Sequence, residues 1–135
     1  MESRLREAWA GGPVAAIAAV YLFGSHARGT AHAESDIDVA ILLDGAVYPT
    51  RAARFEVRLQ VIAHLADRLG APTDVIVLND APPLLGREVI TEGVPVVVAD
   101  AALDHAYRRD VQLRAADLAP FIDRHRRRLA AQLAS

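Results

Sequence analysis

Two aspartates separated by a single residue, Asp36 and Asp38, follow the pair Gly24-Ser25 after a gap of ten residues. A third, Asp74, stands in Thr73-Asp74-Val75-Ile76-Val77. In an extended segment, residues two apart point to the same side. Asp36 and Asp38 would therefore present their carboxylates together, while Ile37 and Val39 face the core and hold the pair in place. Adjacent carboxylates repel each other unless a cation sits between them. Oxygen-only ligands with room for water suit Mg²⁺ or Mn²⁺. If the strand carrying Asp74 pairs beside the one carrying Asp38, three carboxylates converge, a set able to hold two metal ions. Two-metal sites stabilise the entering and leaving oxygens of an in-line displacement at phosphorus.

The Gly24-Ser25 half supplies the complementary chemistry. A glycine lets backbone approach a phosphate closely. The Ser25 hydroxyl and the backbone N–H groups after it can donate to phosphate oxygens, more so if a helical turn starts there. Arg28 is a candidate for pairing with phosphate, a structural salt bridge being the other reading, and Gly29 permits a tight turn. Catalytic and metal-binding roles thus fall to Asp36, Asp38 and Asp74, and nucleotide-phosphate roles to Gly24, Ser25 and Arg28. Gly-Ser alone means nothing and Asp-x-Asp is common in turns. At average residue frequencies, the conjunction at this spacing arises by chance on the order of once in several hundred such chains.

These residues need elements to position them. Val14 to Phe23 is apolar and ends in Val20-Tyr21-Leu22-Phe23, which predicts a buried strand leading into Gly24. Residues 24–35 are small and polar and predict a loop with one helical turn. Ile37 to Leu43 predicts a second strand, Asp74 to Leu78 a third and Val94 to Ala99 a fourth. Residues 2–10 predict a short helix stopped by Gly11-Gly12-Pro13. Residues 50–69 have helical period, with Phe55, Leu59, Ile62, Leu65, Ala66 and Leu69 on one face, Thr50 as N-cap and Gly70 as stop. Pro82-Pro83 opens a further helix that Gly93 ends. Residues 101–134 are helical, with Tyr107, Val111, Leu118, Ile122, Leu129 and Leu133 at helical spacings and Pro120 expected to split or kink the run. The order α-β-β-α-β-α-β-α predicts an α/β (α+β) fold: a small mixed β-sheet flanked by helices, with a C-terminal helical tail.

Composition bounds the class. The 135 residues fit a single domain, 1–135, with a catalytic core over about 14–100 and the tail over about 101–134. An apolar fraction of 53% supports a real core. With no cysteine there is neither disulfide nor thiolate metal site, as expected of a cytoplasmic protein. The first residues alternate charge and the longest apolar stretch is too short to span a bilayer, so neither secretion nor a membrane is expected. A net charge of −2 argues against general nucleic-acid binding. All 15 basic residues are arginine, which excludes any mechanism needing a lysine nucleophile or a P-loop lysine. The five histidines show no metal spacing. Arg124-His125-Arg126-Arg127-Arg128 decorates the last helix, where cations suit the helix dipole and where a grip on a partner or RNA is the alternative. Trp9 and Tyr107 read as core.

The motif Phe23-Gly24-Ser25-x-Ala27-Arg28-Gly29 followed by Ser35-Asp36-Ile37-Asp38 resembles the polymerase-beta-type nucleotidyltransferase superfamily, and within it the minimal nucleotidyltransferase (MNT) antitoxins paired with HEPN toxins. Asp74 matches the family's third carboxylate, and Leu84 to Val98 is similar as well. The resemblance covers about residues 14–100. It implies transfer of a nucleoside monophosphate from NTP to a hydroxyl with release of pyrophosphate. In the MNT–HEPN pairs it implies AMP transfer from ATP to a tyrosine of the toxin, silencing its RNase. Asp36 and Asp38 would then bind Mg²⁺, with Asp74 beside the attacking hydroxyl and Gly24 and Ser25 on the phosphates. Position 26, variable in the family, is His here. With the catalytic unit ending near residue 100, the acceptor is expected on a partner protein rather than in a further domain of this chain, which rests on analogy of fold. Two other functions stay open at this point: a nucleotidyltransferase acting on a small molecule of aminoglycoside type or an RNA end, and a non-catalytic antitoxin acting by occlusion.

Overall fold

A computed structural model describes residues 1–32 and 35–134. Ala33 and Glu34, inside the predicted loop 24–35, and Ser135 lie outside the described residues. Helix α1 (Glu2–Trp9) precedes strand β1 (Ile17–Phe23), the one-turn helix α2 (Ser25–Arg28) and strand β2 (Ile37–Leu43). Helix α3 (Arg51–Leu69), strand β3 (Thr73–Val77) and a 3₁₀ turn (Leu78–Asp80) come next. Helix α4 (Pro83–Glu92), strand β4 (Val94–Val98) and the long helix α5 (Ala101–Ala134) complete the order. The predicted α/β class and mixed sheet are as found.

The sheet runs β3-β2-β1-β4. β1 lies antiparallel to β2 and β4, while β2 and β3 are parallel. Parallel neighbours require a crossover, and α3 provides it. Thr50 caps α3, its Oγ1 accepting from Ala53 N at 3.1 Å, and Gly70 ends it in the left-handed region at φ 63°. The strands alternate faces. Val20, Leu22, Ile37, Val39, Ile41, Leu43, Val75 and Val77 pack under α1 and α3 with Leu5 and Trp9. Ala19, Tyr21, Ala40 and Leu42 pack on the other face, under α4 and α5 with Val89, Ile90 and Val111.

Two expectations change. The stripe of α3 that meets the sheet is Val57, Val61, Leu65 and Leu69, an i, i+4 ladder. Phe55 and Leu59, expected on that face, are among the exposed apolar residues. The apolar residues of α3 span more than one stripe, and its two β-branched valines fit the close approach to the pleated sheet. The helix from Ala101 also runs unbroken through Pro120. Proline removes one N–H and crowds one carbonyl a turn earlier, a cost that falls here on a stretch whose residues 116–118 and 120 are exposed.

A buried polar anchor ties α5 to the sheet. The Tyr21 hydroxyl, on the α5-facing side of β1, donates to Asp104 Oδ1. Arg108 Nε donates to the Tyr21 oxygen at 3.0 Å and to Asp104 Oδ2 at 3.2 Å, and its guanidinium lies over the Tyr21 ring. Burial, together with the bond to Asp104, pushes the Tyr21 phenol well above its ordinary value, so it stays a donor. Among the described residues Asp104 is the one buried charged side chain. Asp104→Ala leaves the buried phenol without its acceptor and Arg108 without its counter-ion. Urea denaturation is expected to show a loss of about 1–3 kcal/mol; a change within a few tenths would mean that the network contributes nothing.

Candidate active site

The chain turns from β1 into β2 at Gly24, whose backbone sits at φ 73°, ψ −153°, a region essentially reserved for glycine. The turn brings Gly24 against Asp38. A β-carbon on Gly24 would overlap Asp38 Oδ2 and lie 3.0 Å from its Cγ. The antiparallel register sets this approach, because Phe23 pairs with Asp38. Ser25 opens α2, whose last residue is followed by Gly29 at φ 73°. Thr30 N and Oγ1 both donate to Ser25 O, closing the turn.

The parallel register of β2 and β3 pairs Asp38 with Asp74 directly. Asp38, half-buried within β2, feels both other acids. Burial first, then the charges of Asp74 and Asp36, push its carboxyl above the ordinary 3.8, against smaller opposing effects of His26 and Arg28. All four neighbours are thus within electrostatic reach of one carboxylate. Asp36 lies one residue ahead of β2 and is exposed. Asp74 is exposed too, and Arg58 of α3 reaches it at 3.6 Å while its Nε donates to Val75 O. The three carboxylates are neighbours without being gathered into one closed chelate: among the described residues no three His, Asp or Glu side chains form a ready metal-holding group.

Of the six predicted site residues, the structure pairs Asp38 with Asp74 in register and brings Gly24 against Asp38. Ser25 stands at the start of the adjoining turn, and Asp36 and Arg28 border Asp38. Two residues that sequence reasoning gave no clear role also belong here. His26 Nε2 donates to Ser35 O at 3.4 Å, tying the turn to the residue before Asp36. Arg58 flanks Asp74 from the neighbouring helix, a contact across the sheet's edge that no local pattern signals.

Only oxygens are offered, and Asp38 is pressed between two like charges, a repulsion that a cation relieves. Gly24, without a side chain, leaves the approach to Asp38 open. By the chemistry of this donor set these residues fit a hard cation.

Two antiparallel strands joined by a Gly-Ser turn, an Asp-x-Asp at the head of the second and a third Asp on its parallel neighbour define a nucleotidyltransferase domain. The sequence profile of the family described as "Polymerase beta, Nucleotidyltransferase" matches residues 14–102, and the chain belongs to that family. It is similar to the protein adenylyltransferase MntA of Shewanella oneidensis, 36% identical over 74 residues, which are 55% of this chain and 49% of the relative. That stretch spans about half of the relative's length. The fold matches a toxin–antitoxin crystal structure with AMP-PNP at a TM-score of 0.65 and 22% identity, covering 99% of this chain and 98% of the other. It also matches a structure of a tri-AMPylated Shewanella oneidensis HEPN toxin in complex with MNT antitoxin, at a TM-score of 0.58 and 20% identity, covering 99% and 96%. No helix among the described residues is long and apolar enough to cross a membrane.

Proposed function

We propose that this protein is an antitoxin that transfers AMP from ATP to a hydroxyl, a tyrosine in the leading case, of a HEPN-family toxin, and thereby silences it. The observation that carries the reading is the placement of Asp38 between Gly24, in the turn after β1, and Asp74 on β3, with Asp36 beside it. The adenylyltransferase relative and the AMPylated toxin complex give the acceptor class by similarity. Work in the cytoplasm follows from that class of partner.

In this reading the backbone after Gly24 and the Ser25 hydroxyl hold the nucleotide phosphates, and Arg28 and His26 add positive charge beside them. Asp36, Asp38 and Asp74 would hold Mg²⁺, two ions or one, with Mn²⁺ as a substitute. When bound, the metal polarises the α-phosphate and lowers the acceptor hydroxyl's pKa. Asp74, exposed at one end of the carboxylate row, would take the acceptor's proton as the hydroxyl attacks the α-phosphorus and pyrophosphate leaves. The phosphate donors of the turn stabilise the charge that develops.

The direct test is intact-mass analysis of a HEPN-family toxin incubated with this protein, ATP and Mg²⁺. The toxin is expected to gain one or more AMP groups and to lose RNase activity. No mass gain alongside full neutralisation would leave occlusion as the mechanism. Turnover of ATP onto a small molecule or RNA end, with the toxin unlabelled, would move the protein to the other enzyme class.

A further inference from the structure

Asp74 has little to hold it at the site. Its side chain is 57% exposed, and the register of β2 and β3 sets it directly across from Asp38. Neighbouring strands lie about 4.8 Å apart, and the charge of Asp74 is one of the causes that push the Asp38 carboxyl up. Two like charges so placed drive the more exposed one outward into solvent, away from its neighbour. Among the described residues the one ion-pair partner of Asp74 is Arg58, whose Nη2 stands 3.6 Å from Asp74 Oδ1.

Arg58 is itself anchored. Its Nε donates to the backbone oxygen of Val75, a fully buried residue, at 2.5 Å. β3 is an outer strand of the sheet, so this carbonyl takes its bond from α3 rather than from a further strand. On α3, Arg58 follows Val57 of the buried ladder and lies on one side of the helix with Arg51 and Arg54. That side lays three arginines along the β3 edge. Arg54 and Arg51 answer Asp80, in the turn after the strand, at 2.8 and 3.6 Å, and Arg58 answers Asp74 near the strand's start. Arg58 is only 33% exposed and lines a pocket with Phe55, Ile76 and Leu85, so its charge is screened less than that of a fully exposed side chain. With Nε committed to Val75, the planar fork has a fixed direction, toward Asp74 Oδ1. A carboxylate engaged through one oxygen keeps the other available.

We infer that Arg58 is a positioning residue for Asp74: anchored on the β3 backbone, it offsets the repulsion from Asp38 and fixes the Asp74 carboxylate at the sheet edge before nucleotide and acceptor arrive. The inference rests on the proposed function for the step this serves, removal of the acceptor's proton by Asp74. The Gly24 turn follows β1, on the other side of β2 from β3, so the phosphate clasp does not draw on Arg58.

The test uses the full chain with Arg58→Gln, Arg58→Lys, Asp74→Asn and the combination of Arg58→Gln with Asp74→Asn. The first readout needs no substrate. NMR scalar couplings about χ1 of Asp74 should report a single rotamer in the parent and rotamer averaging in Arg58→Gln. Equal averaging in both proteins overturns the inference. The second readout is AMP transfer to a HEPN-family toxin. Arg58→Gln should lower kcat about 10-fold or more, with KM for ATP within about two-fold of the parent. A raised KM for ATP at unchanged kcat would make Arg58 a nucleotide contact and overturn the inference. Arg58→Lys keeps the charge without the fork and should recover only part of the loss; full recovery would mean that charge alone acts and that orientation does not. In the Asp74→Asn background, Arg58→Gln should cost less than about two-fold, because a residue acting through Asp74 has nothing left to act on. An undiminished loss there would give Arg58 a role of its own and overturn the inference. A parent protein that transfers no AMP to the toxin overturns the proposed function, while the couplings still decide whether Arg58 holds Asp74.

Discussion

Asp38→Asn is expected to abolish nucleotidyl transfer and, in the same protein, to raise the melting temperature of the ligand-free fold. The two effects have one cause. Asp38 sits half-buried with Asp74 directly across the parallel strand pair and Asp36 two residues away, and its carboxyl is held above 3.8 by burial and by those charges. A carboxyl raised in the folded state binds its proton more tightly there than in the unfolded chain. Its contribution to stability is full below the unfolded value and is lost as pH rises through the raised folded one. Near neutral pH the ionised group therefore works against the fold, and Asn, similar in shape and uncharged, removes that cost. The gain should shrink as pH falls toward 4, where the wild-type carboxyl protonates. Activity should drop by about 10³-fold or more, since the central cation ligand is lost where charge must be stabilised during transfer. Thermal melts with and without MgCl₂ connect the two effects: Mg²⁺ should raise the wild-type melting temperature and leave the variant nearly unmoved. A variant that melts lower than wild type at neutral pH and still responds to Mg²⁺ would show that Asp38 is neither strained by its neighbours nor a ligand.

The site was legible in the sequence because its parts are local. Asp36 and Asp38 lie two residues apart on an extended segment, Gly24-Ser25 follows a run of apolar residues, and each feature survives translation into a strand–turn–strand unit. Asp74 was legible only on the condition that its strand pairs beside the second, a condition that the parallel register of β2 and β3 meets. What was not legible depended on contacts between distant segments. Phe55 and Leu59 and the valines Val57 and Val61 all stand at helical spacings, and only the surface beneath α3 decides which stripe is buried. Arg58 reaches Asp74 because α3 crosses the open edge of β3, a relation that spacing along the chain does not encode. Pro120 misleads for a related reason. Its cost is large in a packed interior and small on a solvent-facing segment, and the sequence alone does not say where the body beneath α5 ends. The resulting division is physical: periodicity reports local geometry, while the choice among apolar stripes reports tertiary packing.

That division also explains why a glycine substitution should be the sharpest probe of the site. Gly24→Ala is expected to reduce transfer by about 100-fold or more and to destabilise the fold by about 1–3 kcal/mol. Two independent effects act at the position. The backbone at φ 73°, ψ −153° is one that a side chain rarely permits, and the new methyl group would overlap Asp38 Oδ2. Either the turn shifts or the carboxylate moves, and both take the phosphate clasp out of register with the cation ligands. Gly29 separates the effects. It too has φ 73°, but a β-carbon there meets nothing within 4 Å. Gly29→Ala should therefore lose stability through backbone strain alone, by about 1 kcal/mol, and keep most of its activity. Denaturant titration and initial rates on the two variants read the contrast. If Gly24→Ala transfers AMP as well as Gly29→Ala does, the close approach of turn and carboxylate has no part in the chemistry, and the clasp must lie elsewhere.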